Sequence, residues 1–260
     1  MLALARRDAL IQASYRVVLV LDLTLGVLDL LVYYFISKAL SGPSHASLAP
    51  APSYFAFALV GIALTVVVSA ASLGIATTVR EEQLTGTLEA LVTQPVTAVE
   101  MGLGLCGLPF GFATIRVALY LLVGGALLGI DFSHTDWLGL VTILVTTAAA
   151  MSAVGIATAA AVLVVKRGQT LAGLVIFGMS LAGGAFFPVS VLPGWLEAIG
   201  KVVPPRFAFD GLRNALYRGG GWETDAAVLA AFAVVTLPLG LWLFARGLRY
   251  ARRSGSLAQY

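Results

Sequence analysis

The chain has 260 residues, of which 59% are hydrophobic and only 11% are charged, and its mean hydropathy is +0.95. Because a soluble domain carries about 25% charged residues, this composition excludes an ordinary soluble protein and predicts an integral membrane protein. The net charge of +3 comes from basic residues at the ends of apolar runs, a distribution that disfavours nucleic-acid binding. Cys106 is the only cysteine, which excludes an intrachain disulfide.

The first 15 residues have an amphipathic pattern. Leucines and alanines fall on one helical face, whereas Arg6, Arg7 and Asp8 fall on another. A basic amphipathic helix of this kind lies in the membrane interface, so we predict an interfacial helix over residues 1–15.

Six apolar stretches are each long enough for a helix that crosses the bilayer, which takes about 20 residues. The third and fourth stretches exceed this length, which indicates tilted or broken helices, and Pro109 in the third is the candidate site of a break. We therefore predict an all-α integral membrane protein with six transmembrane helices in a single domain over residues 1–260. The six stretches are 17–39, 54–79, 103–129, 138–165, 169–187 and 226–245.

The distribution of basic residues predicts the orientation. Six crossings place both termini on the same side of the membrane, together with ten basic residues, while five lie on the opposite side. Cytoplasmic segments carry an excess of Lys and Arg. We therefore expect a multi-pass protein of the cell membrane with both termini in the cytoplasm.

The charged segment 80–95 separates the second and third apolar runs. Its leucines recur at helical spacing, its acids suit a helix N-terminus because they oppose the helix dipole, and its proline suits a helix end. These features predict a cytoplasmic amphipathic helix that contacts another protein. The residues in question are Glu81, Glu82, Leu84, Leu88, Leu91 and Pro95.

The outer segment 186–216 is more apolar and richer in proline than an ordinary loop. Its prolines divide it into short helices, predicted at 194–200 and 207–216, that re-enter the outer leaflet. Two interpretations stay open, an outer gate and a pair of interfacial helices without a gating role. The candidate gate residues are Phe186, Phe187, Pro188, Pro193 and Trp195.

Three charged residues lie within apolar runs. Asp22 and Asp29 are seven residues apart in the first run and share a helical face, and Arg116 lies in the third. Such residues face protein or water, because a charge at the bilayer centre costs about 2.5–3.5 kcal/mol. We expect Asp22 to reach the inner interface or Arg16, and Asp29 to pair with Arg116. Contact with a substrate headgroup and a proton relay are the alternatives.

In these motifs the chain resembles the ABC-2-type permease family, the membrane subunits of ATP-driven exporters. The resemblance rests on Gly86-Thr87-Leu88-Glu89 with the later Pro95, and on Phe187-Pro188 and Leu192-Pro193-Gly194-Trp195-Leu196. It implies that segment 80–95 is a coupling helix that docks on a separate nucleotide-binding ATPase subunit, and that two permease copies or paralogues form a dimer in membrane lipid. The implied coupling residues are Glu81, Glu82, Leu84, Gly86, Thr87, Leu88, Glu89, Leu91 and Pro95.

The sequence lacks the Gly-x-x-x-x-Gly-Lys-Ser/Thr phosphate loop, so we expect no ATPase activity, no cofactor and no metal site in this chain. The resemblance implies that the partner subunit binds ATP and Mg²⁺. It also implies export of an amphiphilic substrate, such as a lipid, a glycan or a drug. The alternatives are a proton-coupled secondary transporter that uses Asp22, Asp29 and Arg116, and a non-transporting membrane scaffold subunit.

Overall fold

The computed structural model describes residues 16–39, 48–84, 98–164 and 168–254, and these residues form helices joined by turns. A π-helical turn, Val123–Leu127, continues the third helix, and a 3₁₀ turn, Val189–Val191, precedes the sixth. The helices are α1 (Arg16–Ala39), α2 (Tyr54–Leu84), α3 (Ala98–Leu122), α4 (Trp137–Val164), α5 (Gly168–Ala182), α6 (Gly194–Gly200), α7 (Pro204–Tyr217) and α8 (Glu223–Ser254).

Five helices in the described part of the chain, α1, α2, α3, α4 and α8, are long and apolar enough to cross a membrane. The predicted all-helical membrane architecture is therefore confirmed. The fifth predicted span corresponds to α5, which is apolar but has only 15 residues and is about 22 Å long. The six-span count stays a prediction, and the predicted interfacial helix over 1–15 lies outside the described residues.

Two long helices begin at side-chain caps. Ser53 Oγ accepts a hydrogen bond of 3.1 Å from the backbone N–H of Ala56 in the first turn of α2. Asp136 Oδ1 accepts bonds of 3.0 and 3.1 Å from the N–H groups of Leu138 and Gly139 in α4. Serine and aspartate are favoured at this position because they satisfy backbone donors that have no partner within the helix.

The helix break predicted at Pro109 is wrong, because α3 continues through this residue. Pro109 packs against Gly74 of α2, where an added Cβ would lie 2.8 Å from the proline side chain. Neighbouring helices make a proline tolerable within a membrane helix. The regular helix instead changes at the π-helical turn Val123–Leu127, after which Gly129 has a φ of +76°.

The centre of the bundle is the contact between α2 and α4. Leu64 of α2 and Ile143 and Met151 of α4 are fully buried. A Cβ on Gly155 of α4 would overlap the carbonyl of Ala71, so the two backbones touch. Small residues permit such an approach between membrane helices. The α8 helix packs along α4, whereas α1 lies at the periphery and is largely exposed.

Residues 183–217 cover the end of the bundle where α1 ends and α2 begins. We call this the distal end and residues 183–217 the distal cap. The structure has helices at the two places predicted, 194–200 and 207–216, as α6 and within α7. Their re-entry into the outer leaflet stays a prediction. The cap contacts α2 at Gly61, where a Cβ would overlap the carbonyl oxygen of Ala185.

We expect Gly61→Ala to lower the melting temperature of the purified protein by several degrees. The new methyl group must displace packed backbone at Ala185, and overpacking of this kind costs about 1–3 kcal/mol. Gly111→Ala in α3 is the matched control, because nothing lies within 4 Å of its added Cβ. Thermal unfolding in detergent measures both, and equal melting temperatures for the two variants would contradict the packing.

Candidate functional site

The charged segment 80–95 begins as the last turn of α2. Because α2 runs unbroken to Leu84, the predicted start of a separate helix at Glu81 is wrong. Arg, Glu, Gln and Leu all favour a helix, and the chain has no Gly or Pro between Arg80 and Leu84 that would end it. Residues 85–97 lie outside the described residues, so the rest of the predicted helix stays a prediction. That part contains Gly86, Thr87, Leu88, Glu89, Leu91 and Pro95.

The charged residues within the apolar helices form an ion pair that differs from the predicted one. Arg116 Nη2 of α3 pairs with Asp22 Oδ2 of α1. The expected pairing of Arg116 with Asp29 is therefore wrong. The expectation that Asp22 reaches the inner interface or Arg16 stays a prediction, because the Arg16 side chain lies outside the described residues. The side chains of Arg116 and Asp22 are 25% and 52% exposed, so the pair lies at the edge of the bundle.

A glycine sets the register that brings these two charges together. Tyr120 of α3 packs so closely on Gly26 of α1 that a Cβ there would overlap its hydroxyl group. Arg116 and Asp22 each precede these residues by four positions, which is about one helical turn. The two charged side chains therefore meet about one helical turn before the contact between Tyr120 and Gly26, on the N-terminal side of both helices. Residue counts along each apolar run gave no information on this offset between the helices.

Asp29 is exposed on α1, among the exposed apolar side chains of Leu25, Leu28 and Val32. A carboxylate that faced lipid at the middle of the bilayer would cost about 2.5–3.5 kcal/mol on insertion scales. This face of α1 therefore requires water or another protein surface beside it.

The distal cap contains a buried cation that was not predicted from the sequence. Arg213 of α7 is 2% exposed. Its Nη2 atom donates to the carbonyl oxygens of Gly184 at 2.8 Å, Phe57 at 3.2 Å and Ala185 at 3.3 Å. The guanidinium carbon also lies 3.5 Å from the centre of the Phe57 ring. One side chain thus joins α7, the turn after α5 and the start of α2, and we call these contacts the Arg213 clasp.

The clasp carries a positive charge at neutral pH. Burial lowers the pKa of Arg213 to about 10, and the nearby Asp210 carboxylate opposes this effect. Asp210 Oδ1 lies 3.6 Å from Arg213 Nη1, and Asp210 also binds Arg206 at 3.3 Å. Arg213 Nε has no hydrogen-bond partner within the described ranges. The guanidinium is therefore held mainly by carbonyl oxygens and by an aromatic face.

A second contact ties α7 to α2. The Tyr217 hydroxyl donates to the carbonyl of Ala56 at 2.8 Å, and its ring stacks on Phe132 with centroids 6.4 Å apart. Burial raises the pKa of Tyr217, so the hydroxyl stays a neutral donor.

Asp136 in the α3–α4 loop is held as a carboxylate. It accepts hydrogen bonds from Trp222 Nε1, at 2.8 Å, and from backbone amides of α4, and these bonds lower the pKa of Asp136.

The helical periodicity of α7 contains a signal for Arg213. Buried residues Phe209, Leu212 and Leu216 recur at helical spacing, and position 213 falls within the same stripe. A charged residue on an apolar stripe indicates a buried charge with partners. In the count of basic residues, Arg213 is one of the five on the side opposite to the termini.

The predicted gate residues all lie in the distal cap. Phe186 stacks on Tyr33 of α1, with centroids 5.7 Å apart and an interplanar angle of 14°. Pro188 precedes the 3₁₀ turn and Pro193 precedes α6, while Trp195 is 69% exposed. Phe187 is partly buried. Within the described residues, no group of three or more His, Cys, Asp or Glu could hold a metal ion.

We expect Arg213→Met to destabilise the protein by about 2–4 kcal/mol, because buried carbonyl oxygens lose their donor. Arg213→Lys should recover only part of the loss, since an ammonium does not reproduce the planar fork of a guanidinium. Arg218→Gln, a change at an exposed arginine after α7, is the control. Unfolding in denaturant measures the three variants, and a stability of Arg213→Met equal to that of the control contradicts the clasp.

The ion pair between Asp22 and Arg116 predicts coupled mutational effects. Asp22→Asn and Arg116→Gln should together destabilise the protein by about 1 kcal/mol less than the sum of the two single changes. The combination of Asp29→Asn with Arg116→Gln should be additive. A thermal double-mutant cycle measures both couplings, and the reverse result would restore the pairing with Asp29.

Comparison with known proteins gives the family. Residues 83–217, more than half of the chain, match the ABC-2 type transporter family. The chain is also similar to the linearmycin resistance permease protein LnrN of Bacillus subtilis (strain 168), with 25% identity over 174 residues. The aligned region is 65% of this chain and 44% of that protein, so the chain spans less than half of the length of this relative. From the family match, the chain belongs to the ABC-2 type transporter family.

Proposed function

We propose that this chain is the permease subunit of an ABC exporter that moves an amphiphilic substrate, such as a lipid, a glycan or a drug, out of the cytoplasm. The observation that carries the proposal is the family match over 83–217, which includes most of the charged segment and the whole distal cap. The similar protein from Bacillus subtilis is named for resistance to linearmycin. Resistance through a permease supports export rather than uptake.

ATP hydrolysis belongs to a separate ATPase subunit, which binds ATP and Mg²⁺, and this chain holds no cofactor. The subunit docks on segment 80–95. The α2 helix has 31 residues and is about 46 Å long, so it connects this segment with Phe57 and Gly61 beneath the distal cap. Movement of the docking segment therefore shifts a single helix to which the cap is bound.

In the proposed topology the protein crosses the cell membrane six times. Both termini lie in the cytoplasm, and the distal end of the bundle lies outside the cell. The α5 helix covers about 22 Å of a hydrocarbon layer about 30 Å thick. The turn over 183–188 covers the rest. Non-helical backbone at this depth must be buried in protein. Residues 183–185 are buried, and Arg213 binds two of their carbonyl oxygens, which supports the sixth crossing.

A second permease copy, or a paralogue, covers the exposed faces of α1 and α5. The α1 face carries Asp29, and the α5 face exposes Leu171, Leu174 and Phe177. The substrate path runs between the two copies, where water solvates Asp29 and membrane lipid is excluded. The stack of Phe186 on Tyr33 connects the cap to this path. We propose the cap as the outer gate, with Phe186, Phe187, Pro188, Pro193 and Trp195 as gate residues.

A proton-driven carrier would use Asp22, Asp29 and Arg116. The ion pair between Asp22 and Arg116 gives two of these residues a structural role, which favours the exporter over the carrier. A scaffold subunit without transport is the other alternative.

Reconstitution distinguishes the three functions. The chain is co-purified with an ATPase subunit from a neighbouring reading frame and placed in vesicles with labelled amphiphiles. The exporter moves substrate only with Mg-ATP, and vanadate stops it. A proton gradient that drives transport without ATP indicates the carrier, and the absence of transport under both conditions indicates the scaffold.

We expect Glu89→Lys to weaken binding of the ATPase subunit by about tenfold or more, because a reversed charge at a docking surface costs several kcal/mol. Substrate-stimulated ATPase activity should fall in parallel. Glu197→Lys in α6, the same substitution in the distal cap, is the control. Affinity capture and phosphate release measure both, and unchanged coupling in Glu89→Lys counts against docking at this segment.

A further inference from the structure

A cavity of about 380 Å³ opens at the distal end between the end of α1, the start of α2 and the α3–α4 loop. Its volume falls within the range of sites that bind small ligands. Its polar lining comes from Tyr34, Ser37 and Lys38 of α1, from Ser53, and from Asp131 of the loop. These residues belong neither to the Arg213 clasp nor to the ion pair between α1 and α3.

The first two walls of this cavity are fixed to each other. Ser37 Oγ accepts a hydrogen bond of 3.1 Å from the backbone N–H of Phe55. The ring of Tyr34 packs edge-on against the Phe55 ring, with centroids 5.4 Å apart. The end of α1 is thus held to the start of α2, and the cavity is preformed rather than opened by its ligand.

One side of the cavity favours an anion. Lys38 Nζ lies 4.8 Å from the centre of the Tyr34 ring, so the aromatic face holds the ammonium at the cavity wall. Ser53 lines the same cavity and caps α2, whose N-terminal end carries a partial positive charge. A phosphate group is the anion that suits a lysine, a hydroxyl and a helix start together.

The α3–α4 loop contributes a wall of the cavity that favours a cation. Asp131 is exposed and accepts hydrogen bonds from Ser133, at 2.8 Å from the backbone N–H and at 3.0 Å from the hydroxyl. These bonds lower the pKa of Asp131, and His134 adds to the effect, so the carboxylate is ionised at neutral pH. An ammonium group is the complementary partner.

We propose that the cavity binds the headgroup of a phospholipid that carries both a phosphate and an ammonium. The phosphate lies toward Lys38 and Ser53, and the ammonium lies toward Asp131. The Asp131 carboxylate repels a headgroup that carries only negative charge, and the Lys38 ammonium repels one that carries only positive charge. The two side chains together therefore select against both kinds of headgroup. The apolar side chains of Phe55, Leu128 and Ile130 in the cavity lining contact the start of the acyl chains.

Lipid competition tests the proposal on the full chain in neutral detergent, without an ATPase subunit, so its outcome is separate from that of the proposed function. Native mass spectrometry measures retention of phosphatidylethanolamine against phosphatidylglycerol with identical acyl chains. We expect a preference of about fivefold for phosphatidylethanolamine, the scale of an exposed charge pair. Lys38→Gln and Asp131→Asn should each weaken phosphatidylethanolamine retention, and Asp131→Lys should reverse the preference because the cavity then holds two cations.

Lys201→Gln is the control, since Lys201 of α6 is an exposed lysine in the distal cap that pairs with Glu197 at 2.6 Å and does not line the cavity. Its lipid preference should match that of the unchanged protein. Equal retention of the two lipids by the unchanged protein overturns the proposal, as does an Asp131→Lys variant with the original preference. Displacement of the lipid by an equal concentration of soluble glycerophosphoethanolamine overturns the assignment to a lipid.

Discussion

A buried guanidinium is the constraint on which the distal half of this protein depends. After Ala182 the chain leaves the α5 helix, and buried backbone carbonyl oxygens beyond that point need donors. Arg213 donates hydrogen bonds to the carbonyl oxygens of Gly184 and Ala185, and also to that of Phe57 in α2. The turn, α7 and the start of α2 are therefore held together by one side chain whose position is fixed by helical packing.

Close backbone contacts decide where the remaining charges meet. Gly61 lets the turn at Ala185 rest on α2, and Gly26 lets Tyr120 set the register of α1 against α3. The pair of Asp22 and Arg116 follows from that register. Asp29 differs, because it is exposed on a helix face that the rest of the described chain leaves open. The structure thus separates the charges that pair within the fold from one that the described residues leave exposed.

The sequence predicted the helical membrane class and the approximate bounds of the long helices, because long apolar runs leave few alternatives. It also predicted α6 and most of α7 from their prolines. It failed where neighbouring helices decide the outcome, namely at Pro109, at the ion partner of Arg116 and at Arg213. Apolar length gives neither the register between helices nor the partner of a buried charge. The sequence also carries the family motif in segment 80–95. The acids at its start nevertheless lie in the last turn of α2, because the residues there favour a continuous helix.

Hydrogen–deuterium exchange of the unchanged protein in detergent tests the central role of the distal cap most directly. The amides of residues 183–185 bond to the last turn of α5, and Arg213 binds the following carbonyl oxygens. A peptide that covers 183–188 should therefore exchange as slowly as peptides from α7. Exchange as fast as that of the exposed turn at 218–221 would show that the cap is not held to α2, and would contradict this account.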